Sequence, residues 1–395
     1  MQSIYTPFTN LLNSNNTVVN EPLNKEKVLK ENYLLLKNSE KNFFPPRKVL
    51  IISKTTRLQW EMSLKDVNYK KIKNEKVFFD EISNENISPH IIVKHLKHIK
   101  YVNKIIHALK KHCIQIKIIY FDEYNENSSK GFDLIITAGG DGTFLTGASK
   151  IKNNIPIIGL NSDYHGSEGY LCIGKKMNIP PKIIINKFLE KKFDWMYRQR
   201  IKVIVKERSI TKEKNMLVNK KIFYVLNEVF ISEINSGKVS YFEVSINNEK
   251  PVKQKNSGIS ICTGTGSTAW HFNINKLYDD KLKSIINVLE NMGVIFENKN
   301  SNFIKEVCNR YNKKLIFDPF CCQMAYTFRE PIYNNTFHQM SQKGFTRNIK
   351  IISKCSNGGL FLDGNNLIPI NFNSEIILQI LPEDSLKTVY MNFDN

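Results

Sequence analysis

The residues whose types and spacing could do chemistry gather first at positions 139–143, Gly139, Gly140, Asp141, Gly142 and Thr143. The apolar, β-branched run before them, residues 133–138, reads as a buried strand. Glycines let the backbone turn sharply and bring bare N–H groups close to a ligand. A helix over 143–150 would then present its N-terminus to an anion. The combination suits a phosphate, and Asp141 adds a carboxylate able to take a proton. An ordinary tight strand–helix turn accounts equally well for a lone Gly-Gly-x-Gly.

A second cluster of glycines and hydroxyls spans 262–270, with Thr263, Gly264, Thr265, Gly266, Ser267, Thr268, Ala269 and Trp270 in a row. Hydroxyls and bare amides suit phosphate or ribose oxygens, and an aromatic ring can lie on a base. The segment fits G-x-G-x-x-A, but no βαβ unit surrounds it, so the dinucleotide fingerprint is discounted. Asn227 and Glu228 interrupt an apolar strand over 223–231, where polar groups are costly unless satisfied. They either face solvent or hold sugar hydroxyls. One such loop in each half of the chain favours a cleft.

The elements that must position these groups differ between the halves. Residues 48–53, 116–121 and 155–160 read as further buried strands, and 101–111 as an amphipathic helix with Val102, Ile105, Ile106 and Leu109 on one stripe. Strand–helix alternation implies a parallel sheet covered by helices. Residues 54–57, Lys-Thr-Thr-Arg, form a polar loop at a strand's carboxyl end, where such sheets bind ligands or where a loop is merely solvated. Beyond about 195, short strands dominate: 200–206, 222–226, 241–246, 258–262, 349–353, 360–362 and 376–381. Leu282, Ile285, Ile286 and Leu289 mark a helix among them. The expected fold is an α/β N-terminal domain with a parallel sheet and the Gly-Gly-Asp-Gly turn, followed by a β-rich C-terminal domain. The expected division is a flexible, Asn-rich lead over 1–46, an α/β nucleotide-binding domain over 47–194 and a β-rich domain over 195–395. The C-terminal strand is free in this scheme to pack back on the first domain.

Bulk properties narrow the classes. The chain has 395 residues, enough for two cores, and a net charge of +20. The excess is mostly lysine spread among Asn and Ile, a compositional bias rather than a nucleic-acid footprint. The seven cysteines include no C-x-x-C, which argues against a disulfide framework or structural zinc. His95, His98, His107 and His112 lack carboxylates or thiols at ligand spacing and read as surface or core residues. No apolar run approaches a membrane span. Walker A and protein-kinase signatures are missing. Residues 1–24 hold no Lys or Arg, unlike an import presequence.

Taken together, Gly139–Thr143, Asn161-Ser162-Asp163, Asn227-Glu228 and Thr263–Trp270 resemble the NAD kinase family. The segments 54–57, 167–169, 198–200, 253–255 and 272–275 resemble its mitochondrial-type branch. The likeness runs from about residue 47 to the C-terminus. It implies an α/β domain and a β-sandwich-like domain with the site between them, and ATP-dependent phosphorylation of the adenosine ribose 2′-hydroxyl of NAD. It implies that Asp141 is the general base and that Gly139, Gly140, Gly142 and Thr143 cradle phosphates. Asn227 and Glu228 would hold the ribose. Thr265, Gly266, Thr268, Ala269 and Trp270 would line the adenine and ribose pocket beside Asn273, with Asn161 and Tyr170 also near the nucleotide. Gly264 stands where the commoner bacterial-type pattern has Pro, Trp270 where it has Tyr, and Ser257 where it has an Asp that contacts the nucleotide. The 163–169 loop is longer than in that pattern. The resemblance further implies ATP as donor with Mg²⁺ arriving on it, no metal held by the protein, a homodimer, and neither a nucleic-acid nor a membrane partner. It points to the mitochondrial matrix, whereas the amino terminus leaves the cytosol as the alternative. A lipid kinase sharing the Gly-Gly-Asp-Gly turn and a non-catalytic basic nucleic-acid-binding protein are the rival readings.

Overall fold

The computed structural model describes residues 45–64, 87–152, 154–175, 177–210, 216–364 and 366–393. Apart from Pro45 and Pro46, the lead expected over 1–46 lies outside them, as does the segment read for targeting. The described chain falls into two compact units. One ends at Arg200 and takes back the segment from Pro382; the other is Ile201–Leu381.

The first unit is built on four parallel strands, β1 (Lys48–Ser53), β2 (Gln115–Tyr120), β3 (Leu134–Gly139) and β4 (Ile157–Asn161), in the order β2-β1-β3-β4. β1, β3 and β4 are buried along nearly their whole length, which explains their continuous apolar runs. Helices α1 (Arg57–Ser63), α2 (Pro89–Lys110), α3 (Asp141–Ser149) and α4 (Pro181–Leu189) accompany the sheet. Val102, Ile105 and Leu109 of α2 join Val49, Ile51, Leu134 and Ile136 in one core. α2 starts well before the expected residue 101, because Pro89 opens it with φ already set. A separate antiparallel pair joins β5 (Asp194–Arg198) to β18 (Leu386–Tyr390). Registers Ser53↔Ala138 and Gly139↔Asn161 bring three carboxyl ends level, so Lys54, Gly139 and Asn161 share one edge.

The second unit contains two six-stranded antiparallel sheets. With β6 (Ile201–Ile210), β7 (Met216–Val225), β8 (Glu228–Glu233), β9 (Ser240–Ile246), β10 (Val252–Asn256), β11 (Gly258–Cys262), β12 (Met324–Arg329), β13 (Lys343–Thr346), β14 (Asn348–Ser353), β15 (Gly358–Leu362), β16 (Asn366–Ile370) and β17 (Glu375–Ile380), one runs β10-β9-β14-β17-β6-β7 and the other β13-β12-β11-β8-β15-β16. Val203, Val244 and Ile376 of one sheet share a core with Val229, Ile261 and Leu360 of the other, the arrangement of a sandwich. The apolar strand expected over 223–231 is two strands. The chain leaves the first sheet at Val225, turns through Leu226 and Asn227, and enters the second at Glu228. Between β11 and β12 the chain forms helices α5 (Trp270–Asn275), α6 (Asp279–Asn291) and α7 (Ser301–Lys313). The Leu282 and Ile286 stripe of α6 packs on Ile304 and Cys308 of α7.

Candidate functional site

In the first unit, β3 runs into α3 with Gly140 as N-cap in an extended conformation and Asp141 as the first helical residue. The helix thus begins two residues before the expected 143. A carboxylate at that position faces the positive end of the helix dipole. The amides of Thr143 and Phe144 both turn back to Gly140 O, at 3.1 and 3.2 Å. The amides of Asp141 and Gly142 precede any intrahelical acceptor. A Cβ on Gly139 would overlap the Thr143 side chain, and one on Gly140 would lie 2.8 Å from Ser167 Oγ. A Cβ on Gly142 would meet nothing within 4 Å. Gly139 is therefore demanded by packing, Gly140 sits close against the Ser167 hydroxyl, and Gly142 leaves the helix entrance bare.

Asp141 is oriented from the loop after β4. Its Oδ2 accepts the Tyr170 amide at 3.1 Å and its Oδ1 the Leu171 amide at 2.8 Å. Each carboxylate oxygen has a second lone pair for a further donor. Charges around it are unequal. The Arg198 guanidinium sits within electrostatic range, and burial lowers its pKa to about 10 against the raising effects of Asp141 and Cys172. Burial, and then Asp141, push the Cys172 thiol up, so it stays neutral. The far end of α3 is fixed as well. Arg200, 3 % exposed, donates to Ile151 O at 2.7 Å, to Ala148 O at 3.5 Å and to Asp384 O at 2.7 Å. Asn161 spends its side chain locally, accepting from Asp163 N at 3.1 Å and donating to Lys175 O at 3.3 Å. Tyr170 offers its backbone to Asp141 and leaves its ring half exposed.

The second cluster forms a compact knot in the other unit. Cys262 pairs with Glu228 across β11 and β8. Thr263 N then donates to Asn227 O at 2.9 Å, and Thr263 Oγ1 to Leu226 O at 2.5 Å. A Cβ on Gly266 would collide with the Asn227 backbone, and one on Gly264 with Asp318 O. Gly264, where Pro is the commoner residue, is therefore forced by close approach of the 318–319 backbone. Thr265 is buried, Thr268 exposed and Ala269 intermediate. Trp270 is 37 % exposed and rests on Phe230 with ring centroids 4.6 Å apart. Asn273, exposed, donates to Ala269 O at 3.1 Å within its own helix. Ser257 stands at the other end of β11, roughly 20 Å along the strand from Thr263, with its hydroxyl on Glu330. It is not part of the knot.

Asn227 and Glu228 do not face solvent freely. Asn227 Oδ1 and Glu228 Oε2 are buried with no hydrogen-bond partner among the described residues. An unsatisfied buried polar atom costs about 1–3 kcal/mol, so these two acceptors suit a donor from a ligand. Glu228 is 8 % exposed, and burial, then repulsion from Asp363, raise its pKa to about 7.

Asp363 escaped the sequence reading. Its carboxylate accepts the amides of Leu226 at 3.0 Å, Asn227 at 2.7 Å and Glu228 at 3.2 Å, while its own amide donates to Glu228 O at 3.0 Å. It thereby fixes the turn that presents Asn227 and Glu228. Its signal was an Asp-Gly pair between two strands, which reads as a hairpin turn and nothing more. Phe230 was missed for the same reason, its partner Trp270 being distant in sequence, and Arg198 was picked out only within the 198–200 segment, without a role.

Among the described residues no group of three or more His, Cys, Asp or Glu side chains is placed to hold a metal ion. No described helix is long and apolar enough to cross a membrane. His95 and His98 are core residues, 7 % and 1 % exposed. His98 bridges Ser53 Oγ and Ser162 Oγ, both at 2.9 Å, and His95 Nδ1 meets Thr56 Oγ1 at 2.8 Å.

The chain is similar to known proteins in both sequence and fold. The model of the ATP-NAD kinase N-terminal domain matches residues 25–193. The "NAD kinase 2, mitochondrial" protein of Rattus norvegicus is 30 % identical over 387 residues, covering 88 % of both chains. That of Homo sapiens is 29 % identical over 387 residues, covering 88 % of this chain and 85 % of its own. Among solved structures, yeast NADH kinase complexed with NADH superposes with a TM-score of 0.51 at 16 % identity, covering 88 % of this chain and 85 % of that one, which speaks to the fold. With a relative at this identity over nearly its full length, the chain belongs to the NAD kinase family.

Proposed function

We propose that the protein transfers the γ-phosphoryl group of ATP to the 2′-hydroxyl of the adenosine ribose of NAD, giving NADP. The observation that carries this reading is Asp141, a carboxylate at the head of α3 with both oxygens aimed by backbone amides. In the proposed mechanism Asp141 accepts the hydroxyl proton as the oxygen attacks the γ-phosphorus in line, while the bond from that phosphorus to the β–γ bridging oxygen breaks and ADP leaves with the electron pair. The donor's phosphates lie against the amides of Gly139–Thr143. Asn227 Oδ1 and Glu228 Oε2 accept ribose hydroxyls, and Trp270 packs against the nucleotide. Thr265, Gly266, Thr268 and Ala269 form the wall below it, while Asn161 and Tyr170 shape the loop that holds Asp141. Phosphoryl transfer passes through a loose transition state, so positioning and charge stabilisation supply most of the rate. Mg²⁺ would enter as part of the ATP donor and would supply charge neutralisation at its phosphates.

The mitochondrial names of the relatives support placement in the mitochondrial matrix, with the cytosol as the alternative; imaging the tagged native transcript product decides between them. A homodimer is the proposed assembly, tested by light scattering. The activity itself is tested by incubating purified protein with NAD and ATP·Mg²⁺ and resolving nucleotides by chromatography. NADP is expected. Its absence while the protein is folded and binds NAD would remove the proposal.

A further inference from the structure

His98 of α2 bridges the two strands that flank β3 and its Gly139–Thr143 turn. The ring is buried, and both of its nitrogens are engaged. Nε2 meets Ser53 Oγ at 2.9 Å, and Nδ1 meets Ser162 Oγ at 2.9 Å. Ser53 ends β1, and Ser162 directly follows the last residue of β4. β3 lies between those strands, so one side chain ties together the carboxyl ends on either side of Gly139.

The partners assign the ring's proton. Ser53 Oγ also donates to Lys54 O at 3.4 Å. Its lone pairs then take the proton on Nε2, and Nδ1 is left to accept from the Ser162 hydroxyl. Burial, then Lys54 and His95, hold the ring neutral, with a pKa of about 3. A neutral ring has one donor and one acceptor, so a single tautomer satisfies both bonds.

Ser162 opens the loop that reaches Asp141. Its amide donates to Gly139 O at 3.3 Å, longer than the usual backbone range. The far end of the loop is held more closely by the main chain. There Ile173 N donates to Gly159 O at 2.9 Å, and Ile173 bridges to Leu160. The near end relies on side chains: Asn161 Oδ1, which accepts the Asp163 amide at 3.1 Å, and His98. Between the two ends lie the Tyr170 and Leu171 amides that aim the Asp141 carboxylate. Breaking the bond to His98 would leave buried polar groups unpaired, which makes the tether a stiff one.

We propose that His98 is a positioning residue for phosphoryl transfer, setting through Ser162 the loop whose amides aim Asp141. The assignment rests on the reading that Asp141 is the base. The Ser162 side of the bridge carries the effect, and the Ser53 side orients the ring.

The test combines steady-state kinetics with hydrogen exchange of peptides covering 162–171. An asparagine amide takes the place of Nδ1 and keeps the bond to Ser162, whereas a glutamine amide reaches the place of Nε2 and keeps the bond to Ser53. Ser162→Ala and His98→Gln should lower kcat by about 10- to 100-fold. Their KM values for NAD and ATP should stay within about 3-fold, and retained NAD affinity shows that a variant is folded. His98→Asn should hold kcat within about 3-fold of wild type. Exchange over 162–171 should quicken in Ser162→Ala and His98→Gln but not in His98→Asn. Equal loss of kcat in His98→Asn and His98→Gln, or wild-type kcat in Ser162→Ala, would overturn the assignment. If the wild type forms no NADP, quicker exchange in Ser162→Ala would still uphold the positioning of the Asp141 carboxylate while removing the proposed reaction, and unchanged exchange would overturn both.

Discussion

Glu228 gives the sharpest quantitative prediction, because its burial sets stability against function. Its pKa in the folded protein is about 7, against 4.5 for the free side chain. A carboxylate whose folded pKa is raised binds more protons folded than unfolded. Its favourable contribution is complete below the unfolded pKa and is lost as pH rises through the folded one. The window is therefore pH 4.5 to about 7. A difference of about 2.5 units at about 1.4 kcal/mol per unit corresponds to roughly 3 kcal/mol. Glu228→Gln keeps the shape and removes the charge. Its unfolding free energy relative to wild type should thus be near zero at pH 4.5 and shift by about 3 kcal/mol in the variant's favour at pH 8. Urea denaturation followed by circular dichroism at both pH values measures this, since pH effects from other groups cancel in the difference. The same variant should bind NAD more weakly, because an amide oxygen is a poorer acceptor for a ribose hydroxyl than a carboxylate. A stability difference independent of pH would refute the assigned burial, and unchanged NAD affinity would refute the ribose role.

Asp363→Asn leaves one acceptor for three buried amides and should cost about 1–3 kcal/mol in urea melts while raising the KM for NAD. The φ of +49° at this residue is tolerated by Asn, so backbone strain does not confound that measurement. Gly264→Ala places a methyl group against Asp318 O and should destabilise the protein by about 1–3 kcal/mol, visible as a lowered Tm. His98 is held neutral by burial, then by Lys54 and His95, with a pKa of about 3 against 6.5. Its contribution is complete above pH 6.5 and is lost as pH falls toward 3, so His98→Gln should show a flatter fall in stability over that range in acid titrations.

The Gly-Gly-Asp-Gly turn was legible because a β-branched apolar run stops abruptly at glycine. The helix after it was placed two residues late, since Asp141 and Gly142 are loop residues by type, and only the geometry shows the helix starting at the carboxylate. Asn227 and Glu228 looked like a polar flaw in one strand. They mark the place where the chain changes sheets, which local patterning cannot tell from a flaw because the apolar runs on both sides look alike. The aiming of Asp141 by Tyr170 and Leu171 and the clamp from Asp363 are contacts over 29 to 137 residues. Such groups carry no periodic signal, and Asp363 was masked by its own turn chemistry. His98 was read only as a surface or core residue, because its serine partners lie 45 and 64 residues away. It lies on a helix whose start, at Pro89, the apolar stripe did not reveal.

Asp141→Asn tests most directly whether Asp141 takes the proton in phosphoryl transfer. Asparagine keeps the shape and can still accept an amide at one oxygen, so NAD and ATP affinities should stay within about 3-fold, while kcat for NADP formation should fall about 10²- to 10⁴-fold. An Asp141→Asn enzyme that forms NADP at near wild-type kcat would contradict the account.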